Sequence, residues 1–238
     1  MTNAILMASG LGTRMRPLTD TTPKPLIKVA GTPMIETVID ALIKANVDRI
    51  FVVVGYLGEQ FEYLKEKYSN ISIIKNSDYK TINNISSIYY AKDKLILGDC
   101  FICEADLFIS DSNIFNCQLN HSCYFGKMVE GHSDDWVFDT DENGIITRVG
   151  KKGDNQYNMA GLSYFTKSDA KILSEAIETQ YYKNGYENLF WDDVVNMNLD
   201  KLKLTVHPVK SEQIVEIDTV IELEEINKEV INGSRKIS

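Results

Sequence analysis

The stretch that decides the fold is Ala4-Ile5-Leu6-Met7-Ala8-Ser9-Gly10-Leu11-Gly12-Thr13-Arg14-Met15-Arg16-Pro17-Leu18-Thr19, followed closely by Pro23-Lys24-Pro25-Leu26. Its apolar start predicts a short strand. Gly10 and Gly12 predict a turn whose successive N–H groups converge on an anion, since glycine adopts backbone conformations that are closed to other residues. Arg14, Arg16 and Lys24 add positive charge beside that turn, which favours phosphate as the anion.

A glycine pair alone would fit a basic surface turn as well as a phosphate site. The longer pattern, from the strand through two arginines to Pro23-Lys24-Pro25-Leu26, is far more specific. It is not the P-loop, which needs Gly-x-x-x-x-Gly-Lys-Ser/Thr, and it lacks the third glycine with which the dinucleotide fingerprint opens a helix. The sequence therefore predicts a phosphate-binding loop of a different type.

The composition excludes several classes of protein. With 44% hydrophobic and 25% charged residues, the chain of 238 residues is typical of one folded domain and not of a disordered segment. Its net charge of -9 argues against nucleic-acid binding, which needs a basic surface. No apolar run approaches the roughly 18 residues of a membrane helix, and the N-terminus lacks a signal-peptide pattern. We expect a cytoplasmic protein with no nucleic-acid or membrane partner.

Four cysteines, Cys100, Cys103, Cys117 and Cys123, raise the question of a metal or disulfide site. The first two lie in an apolar segment that is typical of a buried strand, and strand alternation sends residues three apart to opposite faces. A zinc site is therefore disfavoured, even if His121 is counted as a ligand. We predict buried, reduced thiols.

Predicted strands alternate with predicted helices in the first half of the chain, a pattern typical of a parallel sheet covered by helices. The strands are predicted at residues 4–8, 49–54, 71–74 and 101–106, and the helices over residues 34–46, 61–68 and 85–95. After Ser122 the pattern changes to strands joined by turns, at residues 123–128, 136–139, 145–149 and 158–165, followed by a helix over 167–181. We predict a single Rossmann-like α/β domain with a mixed, mainly parallel sheet and a β-rich extension.

Polar residues mark the ends of several predicted elements. Asp106 ends a central strand, and the carboxyl ends of parallel strands are where such folds collect their ligands. Asp106 could hold magnesium bound to a triphosphate or cap the next segment, and the nearby phosphate loop favours the metal interpretation. Asn83 or Asn84 precedes a helix and could be no more than its N-cap. Glu216 and Asp218 end a further short strand before the last helix.

The segment Tyr186-Glu187-Asn188-Leu189-Phe190-Trp191-Asp192-Asp193 concentrates aromatic residues and carboxylates. Ring faces attract ammonium groups, and neighbouring carboxylates complete the charge match, so the segment could form a cage for a cation. Helical periodicity alone favours another interpretation, in which Phe190 and Trp191 belong to a buried stripe with Val194 and Val195.

Taken together, these motifs resemble the bacterial choline-phosphate cytidylyltransferases, a branch of the nucleotide-sugar pyrophosphorylase superfamily. The likeness spans essentially the whole chain. It rests on the opening loop, Val54-Gly55-Tyr56, Glu104-Ala105-Asp106, Phe190-Trp191-Asp192-Asp193 and Glu216-Ile217-Asp218, in that order. The resemblance implies transfer of a cytidylyl group from CTP to a small phosphate or phosphonate, with release of pyrophosphate.

The resemblance also implies roles for individual residues. Arg14 and Lys24 would be catalytic, neutralising charge as the acceptor oxygen attacks the α-phosphorus, and Asp106 and Asp218 would hold Mg²⁺. The nucleotide would be bound by Ala8, Ser9, Gly10, Leu11, Gly12, Thr13, Gly55, Tyr56, Asn84, Ser86 and Ala105. The ammonium group of the acceptor would be held by Trp136, Trp191, Asp192 and Glu216.

The family likeness further implies the nucleotide-diphospho-sugar transferase type of fold. Residues 1–238 would form one domain, with residues 1–120 binding the nucleotide and residues 121–238 binding the acceptor. The sequence leaves open whether the protein forms a homodimer.

The acceptor has several candidates. The resemblance favours phosphocholine. Phosphoethanolamine and 2-aminoethylphosphonate remain alternatives, because Phe190-Trp191-Asp192-Asp193 differs from the tyrosine- and asparagine-containing version of the choline enzymes. Met7-Ala8-Ser9-Gly10 stands where many relatives have Ala-Ala-Gly, a change that should leave the loop intact. A sugar-1-phosphate nucleotidyltransferase is disfavoured by the tryptophans and late acids. A silent regulatory subunit is disfavoured because the phosphate cations and both metal carboxylates are present.

Overall fold

A seven-stranded sheet forms the centre of the computed structural model, which describes residues 1–237 and so leaves Ser238, the last residue of the predicted domain, outside it. In chain order the strands are β1 (Thr2–Ala8), β2 (Lys28–Val29), β3 (Thr32–Pro33), β4 (Arg49–Val54), β5 (Ile71–Lys75), β6 (Asp99–Glu104), β7 (Leu107–Ile109), β8 (Cys123–Thr140), β9 (Ile146–Phe165), β10 (Thr205–Pro208) and β11 (Ile214–Glu216). The helices are α1 (Met34–Lys44), α2 (Tyr63–Lys67), α3 (Ile85–Leu95), α4 (Lys167–Gln180), α5 (Trp191–Asn196) and α6 (Val220–Ile231).

The strand order in the central sheet is β10-β8-β9-β6-β1-β4-β5. β1 is parallel to both of its neighbours, β4 and β6, and β4 is parallel to β5. β9 runs antiparallel to β6, and β8 runs antiparallel to β9. The predicted α/β fold with a mixed, mainly parallel sheet is therefore confirmed, and the antiparallel part begins after Ser122, where the sequence pattern changes.

Both faces of the sheet are buried under helices, as expected for strands such as β4 that are apolar on both faces. Leu6 and Val52 point to one core cluster, which also contains the apolar stripe of α1 (Ile35, Val38, Ile39 and Leu42). Ile5 and Val53 point to the other cluster, which α3 and α4 complete with Ile88, Ala91, Leu95, Ala170 and Leu173.

The cysteines follow the same alternation. Cys103 belongs to the first core cluster and Cys100 to the second, so the two thiols lie on opposite faces of β6. All four cysteines are free; Cys100, Cys103 and Cys123 are buried, and Cys117 is half-buried. Burial raises the pKa of Cys100 and Cys123, which keeps these thiols protonated and unreactive.

Two segments differ from the prediction. The helix expected over residues 61–68 is divided into a 3₁₀ turn at Gly58–Phe61 and the short α2. The four short strands expected after Ser122 are joined into β8 and β9, two long strands with several bulges. Bulges bend a strand without ending it, so local alternation could not show that the segments are continuous. One result is that Trp136 on β8 lies opposite Lys151 on β9.

The parallel register brings three strand ends to the same edge of the sheet. Ala8 at the end of β1 lies beside Val54 at the end of β4, and Met7 lies beside Glu104 at the end of β6. The phosphate loop and the segments that begin at Gly55 and Ala105 therefore leave the sheet together, as expected for a ligand site of this fold class. Within residues 1–237, none of the helices combines the length and apolar character needed to span a bilayer.

Candidate active site

The predicted phosphate loop turns at Gly12. Gly12 has a φ of 62°, in the left-handed region, and opens a 3₁₀ turn over Thr13–Met15. Its carbonyl accepts hydrogen bonds from Met15 N at 3.0 Å and Thr19 Oγ1 at 2.9 Å. A Cβ at this position would lie 2.9 Å from Lys24 Cβ, so glycine also allows the two ends of the loop to meet. Gly10, in contrast, does not take a positive φ.

Lys24 forms the centre of a charge cluster at the mouth of this loop. Its Nζ donates to Asp106 Oδ2 and to Asp218 Oδ1, both at 2.6 Å. Arg14 Nη2 lies 2.8 Å from the same Asp218 oxygen. The two predicted catalytic cations and the two predicted metal ligands are thus brought together from positions more than 190 residues apart in the chain.

Lys24 is 6% exposed, and it remains charged because its partners are carboxylates. Burial lowers the pKa of Lys24, but the charges and hydrogen bonds of Asp106 and Asp218 outweigh burial and raise the pKa above its ordinary value. At neutral pH the cleft therefore holds a fixed positive charge between two carboxylates.

The same carboxylates fit a magnesium ion. Asp106 and Asp218 both reach one cation, the Lys24 ammonium, so their oxygens converge on a single position. Among residues 1–237 there is no group of three or more His, Cys, Asp or Glu side chains arranged to hold a metal. Two carboxylates are nevertheless enough for Mg²⁺ when substrate phosphates supply further oxygens.

The charge cluster opens into a cleft of about 290 Å³. Ten of the predicted site residues line the cleft: Ala8, Ser9, Gly10, Gly12, Thr13, Arg14, Lys24, Asn84, Asp106 and Asp218. Met7, Pro25, Ser87 and Glu104 line it as well and were not predicted. Each of these four directly adjoins a predicted residue in the sequence. That adjacency was the only sequence feature that could have identified them as lining residues.

A smaller cavity of about 140 Å³ adjoins the cleft between the loop and the start of α3. Its lining consists of Ser9, Gly10, Asn76, Tyr79, Ile82, Asn83, Asn84, Ser86 and Ser87. Asn76 is buried, and its Nδ2 donates to Ser86 Oγ at 2.8 Å. This network fixes the end of β5 against α3 and gives the cavity a polar wall.

Four of the predicted nucleotide contacts line neither cavity: Leu11, Gly55, Tyr56 and Ala105. The hydroxyl of Tyr56 donates to Thr19 O at 2.8 Å and so holds the phosphate loop from outside. Gly55 lies under the ring of Tyr79, because a Cβ on Gly55 would be 2.6 Å from Tyr79 Cγ and 2.9 Å from Ser9 O. Tyr79, not Tyr56, is therefore the tyrosine of the cavity wall.

The structure also answers the question of the helix cap. Asn84 precedes α3, but its side chain makes no capping hydrogen bond. Its Oδ1 accepts instead from Trp191 N at 2.9 Å. Asn84 thus connects the cavity wall to the start of α5 and is not a simple N-cap.

Acidic residues gather on the side of the cleft nearest β11 and α5. Burial and then the charges of Glu216, Asp106 and Asp192 raise the pKa of Glu104 well above its usual range. Desolvation and then the charges of Asp106 and Asp218 raise the pKa of Glu216 to about 7. These residues form an acidic cluster (Glu104, Asp106, Asp192, Glu216 and Asp218), in which a bound cation would favour the ionised carboxylates.

The aromatic partner of Trp136 is Phe190. Their ring centroids are 5.3 Å apart in an edge-to-face arrangement. Lys151 Nζ lies 5.7 Å from the Trp136 centroid and 5.2 Å from the Phe190 centroid, so the aromatic pair already holds a primary ammonium group. Lys151 is exposed, and a lysine ammonium sits on a flexible four-carbon stem.

Trp191, which the resemblance places with Trp136 at the acceptor site, is instead buried. It is 3% exposed and packs on Tyr124 and Phe165, with ring centroids 5.8 Å and 6.1 Å away. The buried-stripe interpretation therefore describes Trp191, whereas the adjacent Phe190 is half-buried. The burial of Trp191 leaves little of its ring accessible for the predicted acceptor contact, and Phe190 is the ring of this segment that pairs with Trp136.

Asp192 is a buried member of the acidic cluster and is 3% exposed. The hydroxyl of Tyr124 donates to Asp192 Oδ1 at 3.0 Å. Burial raises the pKa of Asp192 to about 7, even though the bond from Tyr124 opposes that change. The folded protein therefore keeps a proton on Asp192 up to about pH 7. In an unfolded chain, the same side chain loses its proton near pH 4.

Asp192→Asn is expected to make stability less dependent on pH. With a folded pKa of about 7, the native state binds more protons than the unfolded state between pH 4 and 7, so the wild-type free energy of unfolding falls as the pH rises. Between pH 5 and pH 8, the titration of Asp192 alone lowers the free energy of unfolding by about 3 kcal/mol, at roughly 1.4 kcal/mol per pKa unit. Urea unfolding of the variant should show less of that loss, whereas Asp93→Asn, on the exposed face of α3, should match the wild type. Parallel curves for Asp192→Asn and wild type would contradict the assignment.

Comparison with known proteins gives one family and several relatives. Residues 3–124 match the family model described as nucleotidyl transferase. The chain is 58% identical over 222 residues to a 2-aminoethylphosphonate cytidylyltransferase of Lancefieldella rimae, covering 93% of this chain and 90% of the relative. It is 32% identical over 236 residues to a choline-phosphate cytidylyltransferase of Haemophilus influenzae, covering 98% of this chain and 100% of that one.

A solved structure agrees with these sequence relatives. The CTP:phosphocholine cytidylyltransferase of Streptococcus pneumoniae superposes with a TM-score of 0.88 at 30% identity, covering 96% of this chain and 99% of the other. The similarity therefore includes the β-rich part beyond residue 124 as well as the part that the family model matches.

Proposed function

Because the chain belongs to the nucleotidyl transferase family and its cytidylyltransferase relatives match it over most of its length, we propose that it transfers CMP from CTP to 2-aminoethylphosphonate and releases pyrophosphate. The observation that supports this most strongly is the cluster in which Lys24, Arg14, Asp106 and Asp218 meet at the phosphate loop. Such a cluster offers cations for a triphosphate and carboxylates for the magnesium that accompanies it.

The reaction is a displacement at the α-phosphorus of CTP. An oxygen of the acceptor phosphonate forms a bond to that phosphorus, and the bond to the bridging oxygen of the β-phosphate breaks, so that pyrophosphate leaves with the electron pair. The attacking oxygen is already anionic and needs no general base. The work of the protein is therefore positioning and charge neutralisation.

The residues around the cleft divide this work. The backbone from Ser9 to Thr13 lines the cleft and would bind the triphosphate. Lys24 and Arg14 would neutralise the charge that develops on the α-phosphate and on pyrophosphate. A magnesium ion held by Asp106 and Asp218 would, when bound, supply further positive charge to the triphosphate.

The nucleoside fits the smaller cavity beside α3, which shares Ser9, Gly10, Asn84 and Ser87 with the cleft. Its buried polar wall offers hydrogen-bonding partners, and the ring of Tyr79 offers a stacking surface. We further assign nucleotide binding mainly to residues 1–120 and acceptor binding to residues 121–238, with Asp218 as the residue that joins the two parts at the charge cluster.

Two observations support 2-aminoethylphosphonate over phosphocholine, the acceptor that the sequence resemblance favours. The aminoethylphosphonate enzyme is 58% identical to this chain, whereas the choline-phosphate enzyme is 32% identical. In addition, the pair of Trp136 and Phe190 accommodates the primary ammonium of Lys151. The acceptor also carries a primary ammonium, which would displace Lys151 while the acidic cluster adds attraction.

The acceptor is tested by measuring pyrophosphate release from CTP and Mg²⁺ with 2-aminoethylphosphonate, phosphoethanolamine, phosphocholine and glucose-1-phosphate. We expect the highest kcat/KM with 2-aminoethylphosphonate. A higher kcat/KM with phosphocholine would make phosphocholine the acceptor, and the proposed cytidylyl transfer would stand. Turnover with glucose-1-phosphate alone, or with none of the four, would overturn the proposed function.

Trp136→Leu and Phe190→Leu are each expected to raise the KM for the acceptor about 2- to 30-fold, since a cation–π contact contributes about 0.5–2 kcal/mol. The KM for CTP should change much less. The matched control is Tyr68→Leu on the C-terminal side of α2, which removes a ring with Lys67 Nζ 5.2 Å from its centroid, outside the cleft. An acceptor KM that is unchanged in both the Trp136 and the Phe190 variant would remove the aromatic pair from the acceptor site.

A further inference from the structure

Asn83 and Asn84 bond to the segment that carries the aromatic residue of the acceptor site. Asn83 N donates to Glu187 O at 2.9 Å, and Asn83 Nδ2 donates to Asn188 O at 3.2 Å. Trp191 N donates to Asn84 Oδ1 at 2.9 Å. Two of these bonds precede Phe190 in the chain and one follows it, so they fix the backbone on both sides of its ring.

The same two asparagines line the nucleotide side. Both belong to the wall of the smaller cavity, and Asn84 also lines the main cleft with Asp106 and Asp218. Asn83 Oδ1 accepts from Asn84 N at 2.8 Å, which joins the two asparagines into one unit. The Asn83–Asn84 unit therefore has a nucleoside cavity on one side and the acceptor segment, residues 187–191, on the other.

We propose that Asn83 is a positioning residue that couples nucleotide binding to acceptor binding. A nucleoside in the smaller cavity restrains the Asn83–Asn84 unit, and the unit in turn restrains the acceptor segment and orients Phe190 toward Trp136. The acceptor then binds to a site that is already ordered, and it does so more tightly than in the absence of nucleotide. This inference rests on the proposed function, because it takes the pair of Trp136 and Phe190 as the acceptor site.

Coupling of this kind is reciprocal, since each ligand must change the affinity of the other by the same factor. The coupling can therefore be measured from either side and without any turnover. Asn83 touches neither the reacting phosphorus nor the metal carboxylates in this arrangement; its hydrogen bonds are with Glu187, Asn188, Asn84 and Ser86. A loss of coupling is consequently distinct from a loss of chemistry.

The test is calorimetric titration of 2-aminoethylphosphonate into the full-length protein, with and without Mg²⁺ and a CTP analogue whose α,β-bridging oxygen is replaced by methylene. In the wild type we expect the analogue to tighten acceptor binding about 5- to 150-fold, the usual range for coupled sites. In Asn83→Ala the ratio should fall to within about twofold of unity, because the bond to Asn188 O is lost. Asn198→Ala, which removes an Nδ2 bond to Val194 O of 2.8 Å at the end of α5, should keep the wild-type ratio.

A second variant guards against a folding defect. Asn83→Asp keeps the volume of the side chain and an oxygen for Asn84 N, but loses the donor to Asn188 O, so it too should reduce the ratio. A wild-type ratio in both Asn83 variants, or a wild-type protein that binds the acceptor equally with and without the analogue, would overturn the coupling. If that protein still turns over 2-aminoethylphosphonate, the proposed function stands; if it turns over no acceptor, both fail.

Discussion

Asp106→Asn is expected to slow pyrophosphate release from CTP by at least about 100-fold, the scale on which removal of one preorganised electrostatic group acts in enzymes. Asp106 accepts from Lys24 Nζ at 2.6 Å and is one of the two proposed magnesium ligands. The amide keeps the shape of the side chain but removes its negative charge. The cleft then loses a metal ligand and half of the carboxylate pair that positions Lys24.

The control for this loss is Asp93→Asn, the same chemical change on an α3 side chain that is 81% exposed and 3.9 Å from Lys92. It should leave turnover unchanged. Circular dichroism and a thermal melt of Asp106→Asn establish that the fold is kept. Turnover within about threefold of the wild type in folded Asp106→Asn would contradict a role for this carboxylate in the reaction.

Lys24→Met is expected to lower kcat/KM by about 100- to 1,000-fold, because the buried ammonium is the most central cation of the cleft. Its Nζ contacts Asp106 and Asp218 at 2.6 Å each and faces the space that the triphosphate would fill. Methionine retains the length and much of the volume of the stem, so the packing of the loop should survive. Steady-state pyrophosphate release measures the loss.

The same variant has an effect that does not depend on turnover. Without the ammonium, Asp218 keeps its ion pair with Arg14, while Asp106 loses the ion pair with Lys24. The two carboxylates then become able to bind a divalent ion without nucleotide. Millimolar Mg²⁺ should therefore raise the melting temperature of Lys24→Met more than that of the wild type, since a ligand stabilises the state that binds it. Lys67→Met on α2, which removes an ammonium 2.6 Å from Glu36 on α1, is the matched control. Equal responses to Mg²⁺ in all three proteins would contradict the assignment of the metal carboxylates.

The sequence predicted those parts of the site that depend on local pattern. The loop around Gly12 and the strand ending near Asp106 carry period-two and glycine signals that can be read in a short window. Parallel pairing then brings their ends to one edge of the sheet, so the meeting of Lys24 with Asp106 followed from topology. Asp218 joined them only through the family resemblance, because it lies at the end of a short edge strand with no strong pattern.

The parts that the sequence missed depend on how elements dock. Trp191 and Phe190 are adjacent and equally aromatic, and which ring is buried is decided by the packing of α5 against Tyr124. Tyr56 and Tyr79 differ in the same way, since the loop that brings Tyr79 over Gly55 is irregular. Asn84 was predicted at most to cap a helix. The sequence contained no pattern that could predict its bond to the backbone of Trp191, 107 residues away.

The most direct test of the central claim is ³¹P NMR of the product formed from CTP, Mg²⁺ and 2-aminoethylphosphonate. We predict that the phosphonate resonance moves and becomes coupled to a single phosphate resonance, as required for a phosphonate oxygen bonded to the α-phosphorus of CMP, while pyrophosphate appears in equal amount. A phosphonate resonance that remains unchanged while CTP is consumed, or CTP that is not consumed at all, would contradict the proposed transfer.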